Sequence, residues 1–570
     1  MKKNNFNFLT TKYEKELSKK TVPFDEYPRP QLKRDSYFCL NGLWDFKIED
    51  KKGIKFAGQI LVPFAVESRL SKVFKAVNKS DRLIYEKTFI LPNNFLKNRV
   101  LLHFGACDQY AKVYFNGKLV GENVGVLPFS FDVTEFLTAG ENTIKVIAID
   151  PLNTDIPYGK QREKRGGMWY TTVSGICKTV WMESVYDNYI KDIKIDTDLN
   201  SVKITVFGGE IEKTVRLLDK DYTFTGDSVC INIDNPNLWS PENPNLYEFT
   251  LFSGKDKVSS YFGLRTIKRA KVNGTPLILL NDKPYFFNGL LDQGYYSDGI
   301  YLPATVNGFI DDILRMKECG FNMLRKHIKF EPDLFYYYCD KYGMIVFQDM
   351  INNGKYNFII DTALPTVFLK RGITHYASKN RKSEFIKTAK GIIERLYNHP
   401  SVVYYTIFNE GWGQFSPKKN YALLKSLDSN RVFDTTSGWF KSNATDVESD
   451  HVYFKKIKKR KIKDKPWVLS EFGGYSYKIN EHSFNKDKTY GYKYFTDKEN
   501  FEKALISLYK EEIIPAIDCG LSATVLTQVS DVEDETNGLL TFDRKVLKVD
   551  AKKLKKLSVD INKRFNDKYS

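Results

Sequence analysis

Two glutamates stand where apolar runs break into glycine-flanked loops. Glu410 follows the β-branched and aromatic run Val402 to Phe408 and precedes Gly411 and Gly413. Glu471 closes Pro466-Trp467-Val468-Leu469-Ser470-Glu471 and precedes Phe472-Gly473-Gly474. The first run, apolar nearly throughout, reads as a strand covered on both faces in a parallel sheet. In barrels and doubly wound sheets, chemistry collects at the carboxyl ends of such strands. One acid there caps the next helix about as readily as it catalyses. Two acids at equivalent strand ends suit glycoside hydrolysis, in which one protonates the leaving oxygen and the other attacks, or activates water at, the anomeric carbon. The same pair could hold Mg²⁺, but hard-cation sites recruit more oxygen ligands, and Asp349 is the one further acid tied to these two. No metal and no cofactor is therefore expected.

The elements that position these residues begin after Lys268, where strands alternate with helical patterns, the rhythm of a βα architecture. Eight candidate strands can be counted: Tyr285 to Leu291, Asn322 to His327, Met344 to Asp349, Val402 to Asn409, Val432 to Thr436, His451 to Phe454, Trp467 to Glu471 and Ala523 to Gln528. Pro332 and Gly343 bracket a helix over Asp333 to Tyr342. Another helix carries Phe385, Ala389, Ile392, Ile393 and Leu396 on one stripe and stops before Pro400. A last one, with Leu554, Leu557, Ile561 and Phe565, closes the outer ring. Eight strands over 268–570 predict a (β/α)8 TIM barrel, with Glu410 ending the fourth strand and Glu471 the seventh. Other polar and aromatic residues fall on the same rim. His327 and Asp349 end strands two and three, and Trp439 and Tyr453 lie at or after strands five and six. Asp292, Gln293, Gln528 and Asp531 sit at the ends of strands one and eight.

Upstream, short alternating segments separated by turn residues argue for antiparallel sandwiches. Residues 1–186 form the first, with its clearest hairpin around Asn116-Gly117, and 187–267 an immunoglobulin-like second. In the latter the loop Asn235 to Asn245 carries Trp239 as an anchor. Asp108 and Arg162 of the first unit are candidates to reach the barrel mouth.

A length of 570 residues calls for two to four domains. The formal charge of +17 raises nucleic acid as a partner, and its densest basic run is Lys455 to Lys465. That run reads as a solvated loop, because no zinc-finger, helix-turn-helix or RNA-recognition signature accompanies it. Seven widely spaced cysteines, with no Cys-x-x-Cys pair, look like reduced core thiols. The N-terminus has a basic start but no apolar h-region, and no stretch approaches a membrane span. The expectation is a cytoplasmic protein without nucleic-acid or membrane partners, acting on a carbohydrate, with monomer and homo-oligomer both open.

Motifs along nearly the whole sequence resemble glycoside hydrolase family 2, the retaining β-galactosidases, β-glucuronidases and β-mannosidases. They are Asn41-Gly42-Leu43-Trp44, Val62-Pro63-Phe64, Tyr85 to Phe89 and Ser174 to Trp181. Next come Leu238-Trp239-Ser240-Pro241-Glu242-Asn243-Pro244 and Tyr261-Phe262-Gly263-Leu264-Arg265. In the barrel they are Arg325-Lys326-His327, Asn409-Glu410-Gly411 and Ser470-Glu471-Phe472-Gly473. The resemblance implies a jelly-roll sugar-binding-like β-sandwich, an immunoglobulin-like β-sandwich and a catalytic TIM barrel. It also implies Glu410 as acid/base, Glu471 as nucleophile and Asn409 as the partner of the sugar 2-hydroxyl. His327, Asp349, Trp439, Tyr453 and Gln528 are further candidates for holding the sugar.

One departure bears on substrate. Where the family's glucuronidases carry an Asn-x-Lys pair for the sugar carboxylate, this sequence has Glu535 and Asn537. An acid in that place repels a uronate. The sequence also shows no counterpart of the large C-terminal domains of the long β-galactosidases. A neutral β-linked sugar is expected, galactose first, then arabinopyranose, glucose or mannose.

Overall fold

In the computed structural model the described residues are 6–363, 377–459 and 462–570. Met1 to Asn5, and Arg460-Lys461 within the basic run, lie outside them. The first sandwich packs a six-stranded antiparallel sheet, running from Gly42–Asp50 to Glu141–Ile149, on a four-stranded one containing Arg99–Phe104 and Val180–Val185. Along Glu141–Ile149, side chains alternate between buried and more accessible, the period that puts Ile144, Val146 and Ala148 into a core with Trp44, Tyr85 and Val113. The expected hairpin is present: Asn116 and Gly117 have φ of 47° and 80°, the positive values a type I′ turn needs.

The second sandwich is a three-stranded sheet on a four-stranded one. Three of its strands, Ile190–Thr197, Lys220–Thr225 and Ser228–Asn232, were not expected. The latter two are short and largely solvent-facing, so little apolar alternation marks them in the sequence.

The barrel sheet has eight strands: Phe287–Asp292, Met323–Lys326, Ile345–Asp349, Val402–Thr406, Val432–Asp434, Glu448–Val452, Trp467–Gly473 and Leu521–Thr527. Its order, five to one and then eight to six, is that of a rolled parallel sheet. The sixth strand corrects the expected His451 to Phe454: it starts and ends earlier, pairing Glu448 with Trp467, and frees Tyr453 to turn toward the seventh strand. An antiparallel hairpin, Ile267–Val272 and Thr275–Leu280, floors the barrel. Its Ile278 and Leu280 pack with Phe287, Met323, Ile345 and Trp239. Trp239 is fully buried and donates its indole N–H to Asp340 O at 2.8 Å, the anchor anticipated for that loop. With the bottom sealed, the opposite rim is left for chemistry.

The predicted helices appear as Asp333–Tyr342, between Pro332 and Gly343, and as Lys379–Leu396 and Ala551–Tyr569, the latter two burying the expected apolar stripes. Residues near the start of the chain cross to the barrel: Tyr13, Leu17 and Phe24 join its core, and Thr11 N donates to Asp298 Oδ2 at 2.8 Å. Cys107, Cys177, Cys319 and Cys339 are buried and all seven thiols are free, but Cys230 is exposed, because it lies on one of the solvent-facing strands. Among the described residues no helix is long and apolar enough to cross a membrane.

Candidate active site

Glu410 sits just past the fourth strand in a left-handed conformation, φ 52° and ψ 23°. For a residue with a Cβ this costs roughly 1 kcal/mol. The turn persists because Glu410 N donates to Ser437 O at 2.8 Å and Gly411 continues it at φ 64°, against the Phe440 ring where a Cβ would have no room. The turn aims the carboxyl across the barrel mouth toward Glu471 on the seventh strand. One carboxyl oxygen of each glutamate and His451 Nδ1 all lie within 4.8 Å of one another.

Arg325, at the end of the second strand, organises the floor of this site. Its Nε donates to Asp349 Oδ1 at 2.9 Å, one Nη to Glu471 Oε1 at 3.0 Å and to Ser470 O at 2.8 Å, and the other Nη to Asn409 Oδ1 at 2.8 Å. The guanidinium is fully buried, so its charge is compensated by carboxylates held in fixed geometry. Tyr453 donates its hydroxyl to the second oxygen of Glu471, and its ring stacks on Tyr492 at 3.8 Å. Both oxygens of Glu471 are thus held as acceptors, which fixes the orientation of the carboxyl.

Glu410 has a different environment. Burial pushes its pKa up to about 7, although the charges of Lys160 and Arg325 pull the other way. Burial also pushes His451 down to about 4, so its ring is neutral. Arg325 Nη1 faces His451 Nε2 at 3.4 Å, which leaves the ring proton on Nδ1, aimed at Glu410 Oε1 3.0 Å away. That contact occupies Oε1 and leaves Oε2 for a proton that can be given away. The trio Glu410, His451 and Glu471 has the spacing of a metal site. In this tautomer, however, Nδ1 offers a proton rather than a lone pair, and Arg325 already neutralises Glu471, so the donor set does not fit a cation.

The remaining expected residues divide by position. Asn409, His327 and Tyr453 line the cavity with the two glutamates. Asp349 lies beneath the cavity wall, accepting from Arg325 and contacting His327 Nδ1 at 2.8 Å; burial pushes that histidine down to about 3. Gln528 is also beneath it, donating to Glu535 Oε2 at 2.6 Å and Asn537 Oδ1 at 2.7 Å, both of whose residues do line it. Trp439 borders a neighbouring groove, its ring 6.1 Å from that of His451. Gln293 lines the cavity, while Asp292 and Asp531 pair with Lys326 and Lys548 at 2.6 Å each. Of the two first-domain candidates, Asp108 is buried in its own sandwich opposite Gly175. Arg162 lies 4.5 Å over the Trp169 ring, outside the cavity.

Three first-domain residues line the cavity, Met168, Trp169 and, as the charged one, Lys160. Tyr158 N and Gly159 N donate to Asn352 O at 3.2 and 3.3 Å, docking its loop on the barrel. Gly159 passes so close to Ile328 O that a Cβ would lie 2.7 Å from it. Among the described residues Lys160 makes no ion pair. Tyr356, Trp412 and Tyr492 complete the aromatic part of the wall. Arg325 stands in a motif quoted from the sequence, but its role there was not. A cation at a strand end among three acceptors was the available signal. No local signal marked Lys160.

Comparison with known proteins resolves the class. Residues 60–183 match the glycosyl hydrolases family 2 sugar binding domain, residues 183–265 the glycosyl hydrolases family 2 domain that follows it, and residues 271–562 the family's TIM barrel domain. The chain belongs to glycosyl hydrolase family 2. Among curated relatives, the family 2 chain is 26% identical over 347 residues to a β-galactosidase of Thermoanaerobacter pseudethanolicus. That alignment covers 56% of this chain and 43% of the relative. It is 25% identical over 430 residues to a β-glucuronidase of Paenibacillus borealis, covering 67% of this chain and 69% of that one. The match thus spans under half the length of the first of these relatives. Among solved structures, a β-D-glucuronidase from Dictyoglomus thermophilum superposes with a TM-score of 0.73 at 20% identity, over 94% of this chain and 98% of the other. A family 2 β-galacturonidase from Eisenbergiella tayi gives 0.69 at 20% identity, over 93% and 97%. These likenesses establish the three-part fold.

Proposed function

We propose that this chain is a retaining exo-β-glycosidase working by double displacement, with Glu471 as nucleophile and Glu410 as acid/base. The observation that carries the reading is the asymmetry of two facing carboxyls. Glu471 accepts from Arg325 and Tyr453 with its two oxygens, and Glu410 is raised to about 7 by burial. One oxygen of each lies within 4.8 Å of one oxygen of the other, a spacing that favours the roughly 5 to 5.5 Å carboxyl separation of retaining sites over the 6.5 to 9.5 Å that an intervening water requires. Glu471 attacks the anomeric carbon to form an ester while Glu410 Oε2 protonates the leaving oxygen. Glu410 then removes a proton from the water that cleaves the ester. Asn409, its carbonyl oxygen committed to Arg325, presents its NH₂ to a sugar hydroxyl.

For the sugar we favour a neutral β-linked glycone, galactose first. Glu535 on the wall accepts from hydroxyls and repels a carboxylate. Lys160 favours the second reading, a uronide, by placing a cation in the same cavity. A panel of 4-nitrophenyl β-glycosides decides: galactoside turnover exceeding glucuronide by at least about tenfold is expected, about 1.4 kcal/mol of discrimination. Comparable rates, or faster glucuronide hydrolysis that Lys160→Met abolishes, would move the assignment to uronides.

The pH profile has a defined sign. Below about 7 Glu410 keeps the proton it must donate, and above it the proton is lost, so kcat/KM should fall as pH rises through about 7. Lys160 favours the ionised form of Glu410. Lys160→Met should therefore move this alkaline limb to higher pH. A limb that stayed in place or moved down would contradict the electrostatic reading of the site.

A further inference from the structure

A second cavity of about 880 Å³ adjoins the catalytic one. Its walls come from the sixth strand and the loops on either side of it, and His451 and Tyr453 belong to it as well as to the site. In acid-assisted glycoside cleavage the leaving group departs past the residue that protonates its oxygen. Here that residue is Glu410, whose Oε1 is held by His451, and His451 lines the larger cavity together with Tyr453, which the two cavities share. The groove therefore lies where an aglycone would leave.

Its surface has two unusual features. Phe454 is 72% exposed, its ring set edge-on at 5.1 Å to Tyr492, which stacks on Tyr453. With Trp439 on the other wall it offers flat apolar faces of the kind that stack on pyranose rings. Beside them Lys455, Lys456, Lys458 and Lys459 line the groove, are exposed, and make no ion pair among the described residues. Acids do occur on the wall, but several are committed elsewhere. Asp450 takes Lys441 Nζ and Trp467 Nε1, each at 2.8 Å, Asp434 takes the Tyr404 hydroxyl at 3.0 Å, and Asp464 is 3.9 Å from Lys271. A loop kept basic merely for solubility has no reason to place its charges around an exposed aromatic platform stacked on Tyr453 of the site.

We propose that this groove is an aglycone subsite for a sugar bearing an anionic group, a carboxylate or a sulfate ester. The physiological substrate is then a β-glycoside of an acidic saccharide. This rests on the glycosidase reading above and adds the chemistry of the leaving group. The aromatic faces hold the ring and the lysines hold the anion. Four exposed cations each contribute modestly, so the summed preference is about tenfold at low salt and shrinks as salt screens it.

The test uses the full chain and three substrates carrying the sugar that the aryl panel selects: its 4-nitrophenyl glycoside, its β-1,4 disaccharide with glucose, and its β-1,4 disaccharide with glucuronic acid. A fourth, with glucose 6-sulfate at the reducing end, separates sulfate from carboxylate. The readout is the ratio of kcat/KM for the acidic over the neutral disaccharide. It should be about tenfold in favour of one acidic disaccharide at low ionic strength, fall toward unity with added sodium chloride, and be lost when Lys455, Lys456, Lys458 and Lys459 are all replaced by Ser. Phe454→Ala should raise KM for all the disaccharides relative to the aryl glycoside. Equal turnover of acidic and neutral disaccharides, or a preference that survives the fourfold substitution, overturns the proposal. So does inhibition by double-stranded DNA as strong as that by the acidic disaccharides, which would show a non-selective basic patch. Failure to cleave any aryl glycoside would instead count against the glycosidase reading. In that case calorimetric binding of the same disaccharides to Glu471→Gln still reads the groove, and equal affinity for acidic and neutral forms overturns it.

Discussion

Glu471→Gln should lower kcat by at least about 10⁴-fold, the scale at which removal of a nucleophile is felt. The amide keeps the volume of the carboxylate in a position only 4% exposed, so folding should survive, while the atom that must bond to the anomeric carbon loses its nucleophilicity. Shortening the side chain sharpens the test. In Glu471→Ala a small anion such as azide can enter the vacated space and attack from the face that Glu471 occupied, yielding an α-glycosyl azide from a β-glycoside. In Glu410→Ala the chemistry runs differently. Substrates with good leaving groups should still form the ester, and azide should then release it from the opposite face as a β-glycosyl azide. Product configuration by NMR distinguishes the two roles. If Glu410→Ala gave the α-azide, or if Glu471→Ala kept activity on aryl glycosides, the assignment of roles would be wrong.

Arg325→Leu is the second large effect, on stability and activity together. Arg325 is the shared cation for Asp349 and Glu471, at 2.9 and 3.0 Å, and none of the three side chains is more than 5% exposed. Replacing it with an apolar residue leaves two carboxylates close together in a buried site, and removal of one partner from a buried ion pair costs roughly 3–5 kcal/mol. The charges can escape that cost by taking up protons, which would disarm Glu471 as a nucleophile. The expected outcome is a barrel that melts earlier in urea and a kcat near background. Arg325→Lys retains the charge without the fork that spans Asp349, Glu471 and Asn409. It should recover much of the stability and little of the activity. Equal stability of wild type and Arg325→Leu in urea titrations followed by circular dichroism would remove Arg325 from the centre of the site.

The two variants probe residues of unequal visibility. Glu471 and Glu410 were legible because their neighbours are unambiguous: an apolar strand, a carboxylate, then glycines whose positive φ the turn requires. The family motif around each added the side of the reaction. Most barrel strands were legible for a related reason, since a strand buried on both faces is apolar along most of its length; the sixth, Glu448–Val452, is polar and only alternately buried. Boundaries were less so. Tyr453 reads as strand, yet it leaves the sixth strand at Val452 because its hydroxyl has a carboxylate to reach.

The residues whose roles changed are those defined by contacts between distant segments. Asp349 and Gln528 fall at strand ends, and nothing local says whether such a side chain enters the cavity or supports it from beneath. That depends on what stands opposite: Arg325 and His327 for the first, Glu535 and Asn537 for the second. Lys160 is the extreme case. It belongs to a loop of the first sandwich and reaches the site because Gly159 lets the backbone touch Ile328. The basic run after the sixth strand likewise reads as a solvated loop until Phe454 and the Glu410–His451 contact give it a place beside the leaving group.

The sequence by itself determined the family, the order of the three folded parts, and the placing of two carboxyls at the ends of barrel strands, because each is written in short-range patterns of burial, glycine and charge. Tertiary structure alone decided which carboxyl has both oxygens tied to donors, Glu471, and which is pushed up by burial, Glu410. It also decided what else faces the sugar. Both depend on burial and on charges within a few ångströms, brought together from strands and loops hundreds of residues apart.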